Sequence, residues 1–280
     1  MANQDIKRAQ ARDWDAAGQG LAAFADELEV ALGVVTKHLT EMAEIRLAQT
    51  VLDLGTGYGE PALSLARAVG PDGAVTGIDL SPRMIELARR RGAGMPNVEF
   101  LVGDFDALPR PDASADAVIA RFALMFTPDR LRTFREILRV LVPGGTLAAS
   151  VWAVPQLNRF ALGTLAIARA VEAPPPPPGA PSPFAMADAR ALAEHLEGAG
   201  FEGVRIEEVV VPFQFASTRR YAELSLVVTP PGLLEAARRR LGSGEAIAAA
   251  VMAAAEPFAG PDGSVLLPST AWCVRAVKPA

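Results

Sequence analysis

An acid followed closely by three glycines opens the chemistry of this chain. In Val51-Leu52-Asp53-Leu54-Gly55-Thr56-Gly57-Tyr58-Gly59 an apolar run ends in glycines at alternate positions, and Pro61 then begins a run of helix formers. The pattern predicts a buried strand turning tightly into a helix, with backbone bare enough for a ligand to lie against it. Asp53 falls two residues before the first glycine, near the strand's carboxyl end, where open α/β sheets bind ligands. A carboxylate there repels a pyrophosphate and attracts an ammonium. Asp79 closes the second apolar run, Gly77-Ile78-Asp79-Leu80-Ser81, about 20 residues beyond the glycines, where an acid accepts hydrogen bonds from both ribose hydroxyls of a nucleoside. Ser81 before Pro82 already supplies the helix N-cap, which leaves Asp79 free for the ribose. Asp104, in Leu101-Val102-Gly103-Asp104-Phe105, is placed to accept from an adenine amino group while the adjacent ring covers the base; a turn-forming aspartate is the plainer reading. The ligand these acids describe is a nucleoside with a cationic tail, and S-adenosylmethionine has that shape.

Positioning these acids requires strands that alternate with helices. Residues from about Asp5 to Gln49 read as two helices, with Leu28, Leu32, Val35, Leu39 and Met42 at helical spacing in the second. Strands are predicted at Val51–Leu54, Val75–Asp79, Val98–Gly103, Ala117–Ala120 and Thr146–Trp152, with helices near Pro61–Val69, Pro82–Arg91 and Arg130–Leu141. That alternation implies βαβ units and a parallel sheet with right-handed crossovers. Beyond Trp152 the pattern loosens into a short helix from Leu157 to Val171, then Pro174–Pro178, read as a surface loop or lid hinge. A helix at Asp188–Ala199, a strand at Val204–Phe215, a helical insert and a strand-like Ala271–Val277 complete the chain. The expected organisation is an N-terminal helical segment over 1–48, a cofactor-binding core over 49–155, a proline-rich loop or lid over 156–187, and completion of the sheet over 188–280. The helical insert is expected at about 218–258, interrupted by Pro230-Pro231-Gly232 and Gly242-Ser243-Gly244, and is the candidate lid over an acceptor.

Composition narrows the class further. The 280 residues are half hydrophobic, yet no apolar run approaches the roughly 20 residues of a bilayer span. The N-terminus lacks the charged-then-apolar order of a secretory signal, so a cytoplasmic location is expected. Cys273 is the one cysteine, which excludes an internal disulfide and any multi-thiolate metal site. The formal charge is −5, and the clusters Arg89-Arg90-Arg91 and Arg238-Arg239-Arg240 read as solvated helix faces rather than a nucleic-acid surface. The expected partner is a small molecule; the oligomeric state is not readable.

The Asp53–Gly59 loop, Asp79-Leu80-Ser81, Gly103-Asp104 and Leu141-Val142-Pro143-Gly144-Gly145 stand in the order and spacing of class I S-adenosylmethionine-dependent methyltransferases. The chain resembles most the small-molecule branch typified by the ubiquinone/menaquinone-biosynthesis enzymes, over about residues 45 to 155. This resemblance implies a doubly wound, Rossmann-like sheet of seven strands with the last antiparallel, for which Ala271–Val277 is the candidate. It implies that Asp53 with Gly55, Gly57 and Gly59 holds the methionyl end of S-adenosyl-L-methionine and that Asp79 holds the ribose. Leu80 and Met84 would sandwich the adenine, Asp104 and Phe105 would hold its edge, and Pro143-Gly144-Gly145 would turn the chain into the fifth strand. S-adenosyl-L-homocysteine would be the product.

After the fourth strand comes Ala120-Arg121-Phe122-Ala123-Leu124-Met125-Phe126. The Asn/Asp-Pro-Pro-Tyr/Phe sequence of enzymes that methylate amino groups is absent there. The stretch suits an apolar small acceptor, lined by Phe122, Met125 and Phe126, with Arg121 near the cofactor or an acidic substrate group. Trp14, inside Arg12-Asp13-Trp14-Asp15, is a candidate cap over the site, or a helix anchor. His38 and His195, the two imidazoles, read as structural, so no catalytic base is assigned. Three other readings stand beside methyl transfer, one of them a protein that binds the nucleoside without doing chemistry. A non-methylating user of the same pocket, such as a cyclase or aminopropyl transferase, is compatible. A nicotinamide-dependent oxidoreductase is disfavoured by Asp53 and by the alternate-glycine spacing.

Overall fold

The computed structural model of the chain describes residues 3–174, 177 and 180–280, apart from the side chain of residue 19. Most of the expected proline hinge at Pro174–Pro178 therefore lies outside the described residues. Two helices, α1 (Asn3–Ala22) and α2 (Ala25–Met42), precede β1 (Thr50–Leu54), α3 (Ala62–Val69), β2 (Ala74–Asp79), α4 (Pro82–Arg91) and β3 (Val98–Val102). After β4 (Ala115–Arg121) come α5 (Arg130–Val140), β5 (Leu141–Trp152), α6 (Leu162–Ala170), α7 (Ala189–Ala199) and β6 (Glu202–Phe215). Three helices, α8 (Thr218–Val228), α9 (Pro231–Leu241) and α10 (Gly244–Ala255), separate β6 from β7 (Val265–Val277). They break at the Pro230-Pro231 and Gly242-Ser243 punctuation, where Ser243 caps α10 by accepting from Ala246 N.

The seven strands form one sheet in the order β3-β2-β1-β4-β5-β7-β6. Strands β1 to β5 are mutually parallel, whereas β7 runs antiparallel to both β5 and β6. The fold is thus a Rossmann-like doubly wound sheet with its last strand antiparallel. The winding reverses between β1 and β4, the switch point at whose carboxyl ends open sheets of this kind bind ligands. Side chains alternate across β1: Val51 packs into the layer of α2, α3 and α4, and Leu52 and Leu54 into the opposite layer of α5 and α7. Asp53 therefore shares the face of Val51, toward α3.

Several boundaries differ from expectation by a few residues, and two of the differences have a plain physical cause. The last strand begins at Val265, six residues before Ala271, because Pro268 reads as a strand breaker and yet sits opposite Pro212 of β6. Pairing of β7 with β5 starts only at Ala271, so the donor that Pro268 lacks has no strand waiting for it. Pro143-Gly144-Gly145, expected as a turn before the strand, lies inside the ragged start of β5. Ala115 pairs with Leu141 and Ala117 with Thr146, so the intervening residues bulge, with Gly144 at φ 76°.

Candidate functional site

Asp53, Asp79 and Asp104 stand at or just beyond the carboxyl ends of β1, β2 and β3, three adjacent strands. Asp53 is fully buried and accepts from Ala62 N at 3.0 Å through Oδ2, which supplies α3 with the N-terminal partner that Pro61 cannot provide. Its Oδ1 and the Thr56 hydroxyl that acts on the same carboxyl are both buried, and neither makes a hydrogen bond of good geometry. Burial pushes the Asp53 carboxyl up to about 7, against the opposing pull of the Thr56 hydroxyl, the Arg121 guanidinium and the Ala62 amide. A buried, unpaired carboxylate oxygen is costly unless something binds it.

The glycine loop is held by Asp79 rather than by a ligand alone. Gly57 N donates to Asp79 Oδ2 at 3.0 Å and Ser81 N to Oδ1 at 2.9 Å. Ser81 caps α4 as expected, its hydroxyl accepting from Met84 N at 3.1 Å. The expectation that Asp79 is left free is thus corrected: each of its oxygens already takes one backbone donor, and a ribose would have to use the remaining lone pairs. Burial raises the Asp79 carboxyl above the ordinary range even so, with the backbone amides of Ser81, Gly57 and Leu80 opposing the shift.

Within the loop, Gly55 (φ 75°) has no room for a side chain, since a Cβ there would stand 2.3 Å from that of Ala123. Above Gly57 (φ 54°), by contrast, a Cβ would meet nothing within 4 Å, so the loop backbone faces open space. Gly59 packs against Ala88 of α4, a structural place rather than a ligand-facing one. Phe105 lies beside Gly55, 3.6 Å from the position a Cβ would take. Leu80 is half-buried, and Met84 is buried beneath Gly18 of α1.

Helix α1 lies across this edge. The Lys7 ammonium donates to both Asp104 oxygens at 2.7 and 2.8 Å and also to Asp106 Oδ2. Asp15 accepts from the Ser81 hydroxyl and from Arg83 N. Trp14 meets Phe126 edge-on with ring centroids 5.5 Å apart, and Gln10 Nε2 donates to Phe126 O at 2.8 Å. Sequence reasoning placed Trp14 here and missed Lys7, Gln10 and Asp15.

The segment after β4 divides. The Arg121 guanidinium is buried and engaged: Nη1 and Nη2 donate to Glu29 of α2 at 2.8 and 2.6 Å, and further bonds reach Thr36 Oγ1 and Glu60 O. Tyr58 donates to the same Glu29 carboxylate at 2.7 Å. Burial alone would raise Glu29; Arg121 overcomes it and holds the carboxyl below its usual range. Arg121 thus ties α2 to the sheet and offers no unpaired fork to an acidic substrate group. The missed signal was the seven-residue spacing of Glu29 and Thr36 along one helix face. Met125 is core. Phe122 is half-buried at φ 55°, a backbone conformation rare for a bulky residue, and its ring stacks on Trp152 with centroids 3.8 Å apart. Trp152 also neighbours Phe213, which stacks on Phe160 at 4.0 Å. These three rings pack onto Phe122 as one aromatic cluster, with Phe213 fully buried in it. Among the described residues no cluster of three or more His, Cys, Asp and Glu side chains could hold a metal ion. No described helix is long and apolar enough to cross a membrane.

Residues 51–145 match the family described as a methyltransferase domain. An arsenite methyltransferase of Halobacterium salinarum is 40% identical over 133 residues, which is 46% of this chain and 33% of that protein. A demethylmenaquinone methyltransferase of Staphylococcus aureus is 40% identical over 124 residues, 44% of this chain and 52% of that protein. The chain thus spans a third to a half of the length of these curated relatives. Among solved structures, the YcgJ protein of Bacillus superposes with a TM-score of 0.59 at 21% identity, covering 90% of this chain and 99% of that one, a likeness of fold alone.

Proposed function

We propose that this chain, whose residues 51–145 form a class I S-adenosylmethionine-dependent methyltransferase core, transfers a methyl group from S-adenosylmethionine to a small, apolar acceptor. The observation that carries the reading is the set of carboxylates Asp53, Asp79 and Asp104 at the ends of three adjacent strands beside the switch point. The orphaned Oδ1 of Asp53 and the open space over Gly57 fit a ligand that is cationic at one end and needs bare backbone beside it.

When bound, the cofactor supplies a methyl on an activated sulfonium, moved by in-line displacement. Asp53 attracts and orients the methionyl ammonium; Asp79, its oxygens fixed by Gly57 N and Ser81 N, receives the ribose hydroxyls; Asp104 accepts from the adenine edge, with Leu80, Met84 and Phe105 about the base. The protein's work is alignment and exclusion of water, and well-oriented reactants gain up to roughly 7–11 kcal/mol from that source. Phe122, Trp152, Phe126 and Trp14 supply the apolar wall for the acceptor. No side chain is assigned as a base, and none is required for a nucleophile that already lacks a proton to lose.

Arsenite, which one relative's name carries, is not taken over as the acceptor. Several thiols would serve it, and the sole cysteine here, Cys273, is buried in β7 with its thiol raised to about 12 by burial. The test is Asp53→Ala: loss of S-adenosylhomocysteine binding with the circular dichroism spectrum retained supports the assignment. Unchanged affinity in a folded variant overturns it.

A further inference from the structure

Lys7 occupies the hydrogen-bonding edge that the proposed function assigns to adenine. Its ammonium spans both oxygens of Asp104 and reaches Asp106 as well. Lys7 is only 12% exposed and Asp106 4%, so the ammonium is sheltered on its Asp106 side, while Asp104, at 30%, stays partly open to solvent. A neutral amine cannot displace an ammonium from a carboxylate on equal terms, because charge-assisted hydrogen bonds are roughly twice as strong.

Asp106 gives the ammonium a second place to stay. Its Oδ1 accepts from Thr133 Oγ1 at 2.5 Å, and its backbone N donates to Asp104 Oδ1 at 3.0 Å, so the two carboxylates are fixed relative to each other. Lys7 can withdraw from Asp104 and remain paired on Asp106. Helix α1, which carries it, meets α2 at Ala23-Phe24, and that corner is clamped from α8. Arg220 Nη2 donates to Ala23 O at 3.2 Å, and its guanidinium lies 3.8 Å from the centroid of the Phe24 ring.

We infer that Lys7 is a built-in competitor for the adenine subsite: in the free protein it bridges Asp104 and Asp106, and the nucleoside binds only in the fraction where Lys7 rests on Asp106 alone. The inference rests on the nucleoside reading of the site. Apparent affinity is divided by the competent fraction, so a subsite self-occupied nine times in ten weakens binding about tenfold.

The experiment is calorimetric titration of wild type, Lys7→Met and Lys7→Arg with S-adenosylhomocysteine, and with its hypoxanthine analogue, which lacks the exocyclic amine. Lys7→Met should bind S-adenosylhomocysteine about five- to tenfold more tightly, with a smaller gain for the hypoxanthine analogue, whose carbonyl can accept from Lys7 in the wild type. Lys7→Arg, which keeps the cation, should stay near wild type. Asp106→Asn removes the alternative resting place and should weaken binding, which also serves if Lys7→Met fails to fold. Unchanged or weaker binding by folded Lys7→Met, with wild type binding, overturns the competitor and leaves the cofactor assignment intact. Absence of binding by every protein overturns the nucleoside reading and the competitor with it.

Discussion

Asp53→Asn should make the protein more tolerant of alkaline pH while removing its ligand. The carboxyl is fully buried, keeps one oxygen without a partner, and is pushed by burial from 3.8 to about 7. A group whose folded value lies above its unfolded value favours the native state while protonated, and that advantage disappears as pH rises through the window between the two. Here the window runs from the unfolded value near 3.8 to the folded value near 7. Integrating proton uptake across it gives a loss of roughly 2.5 kcal/mol between about pH 5 and pH 8 from this residue alone. Asn cannot ionise, so the variant should not lose that increment. Its amide places a donor where Oδ1 now lacks a partner, at a pH-independent cost of about 1–3 kcal/mol. The informative quantity is therefore the slope. Urea denaturation of both proteins at the two pH values should show wild type losing roughly 2.5 kcal/mol more than the variant. Parallel losses would refute the claim that burial, only partly offset by the neighbouring donors, strains this carboxylate.

Two further substitutions probe the frame around it. Gly55→Ala combines a left-handed backbone with a Cβ 2.3 Å from that of Ala123, and should cost at least about 2 kcal/mol in denaturation; a neutral result would mean the loop can relax. Arg121→Met removes the guanidinium from all its acceptors and leaves Tyr58 as the side chain still donating to Glu29, a loss of about 3 kcal/mol at neutral pH. Glu29 is depressed in the folded state, so that contribution is present above its unfolded value near 4.5 and is lost as pH falls through the folded value. Glu29→Gln should restore part of the stability in the Arg121→Met background, as measured by a double-mutant cycle.

What the sequence revealed was what short range encodes. Asp53, the glycines and Ser81 were readable because each is tied to its neighbours by strand period, turn conformation or capping. The alternation of elements gave the parallel half of the sheet for the same reason. The antiparallel edge was half hidden by Pro268, whose tolerance depends on where β5 stops. The engagement of Asp79 is only half local: Ser81 N lies two residues on, but Gly57 N arrives from the folded-back glycine loop, 22 residues away. Arg121 and Asp104 were placed at the right strand ends, but their partners, Glu29 and Lys7, stand 92 and 97 residues away on the N-terminal helices. No local pattern links such residues; only the docking of α1 and α2 onto the sheet does. Trp152, Phe160 and Phe213 come together in the same way, from two strands and a connecting turn.

Calorimetric titration of the wild-type protein with S-adenosylhomocysteine, with NADH as the control ligand, tests the central claim most directly. The account predicts micromolar binding of the homocysteine nucleoside and none of NADH. Preference for NADH, or no binding of either, would contradict the assignment of Asp53, Asp79 and Asp104 to a nucleoside with a cationic tail.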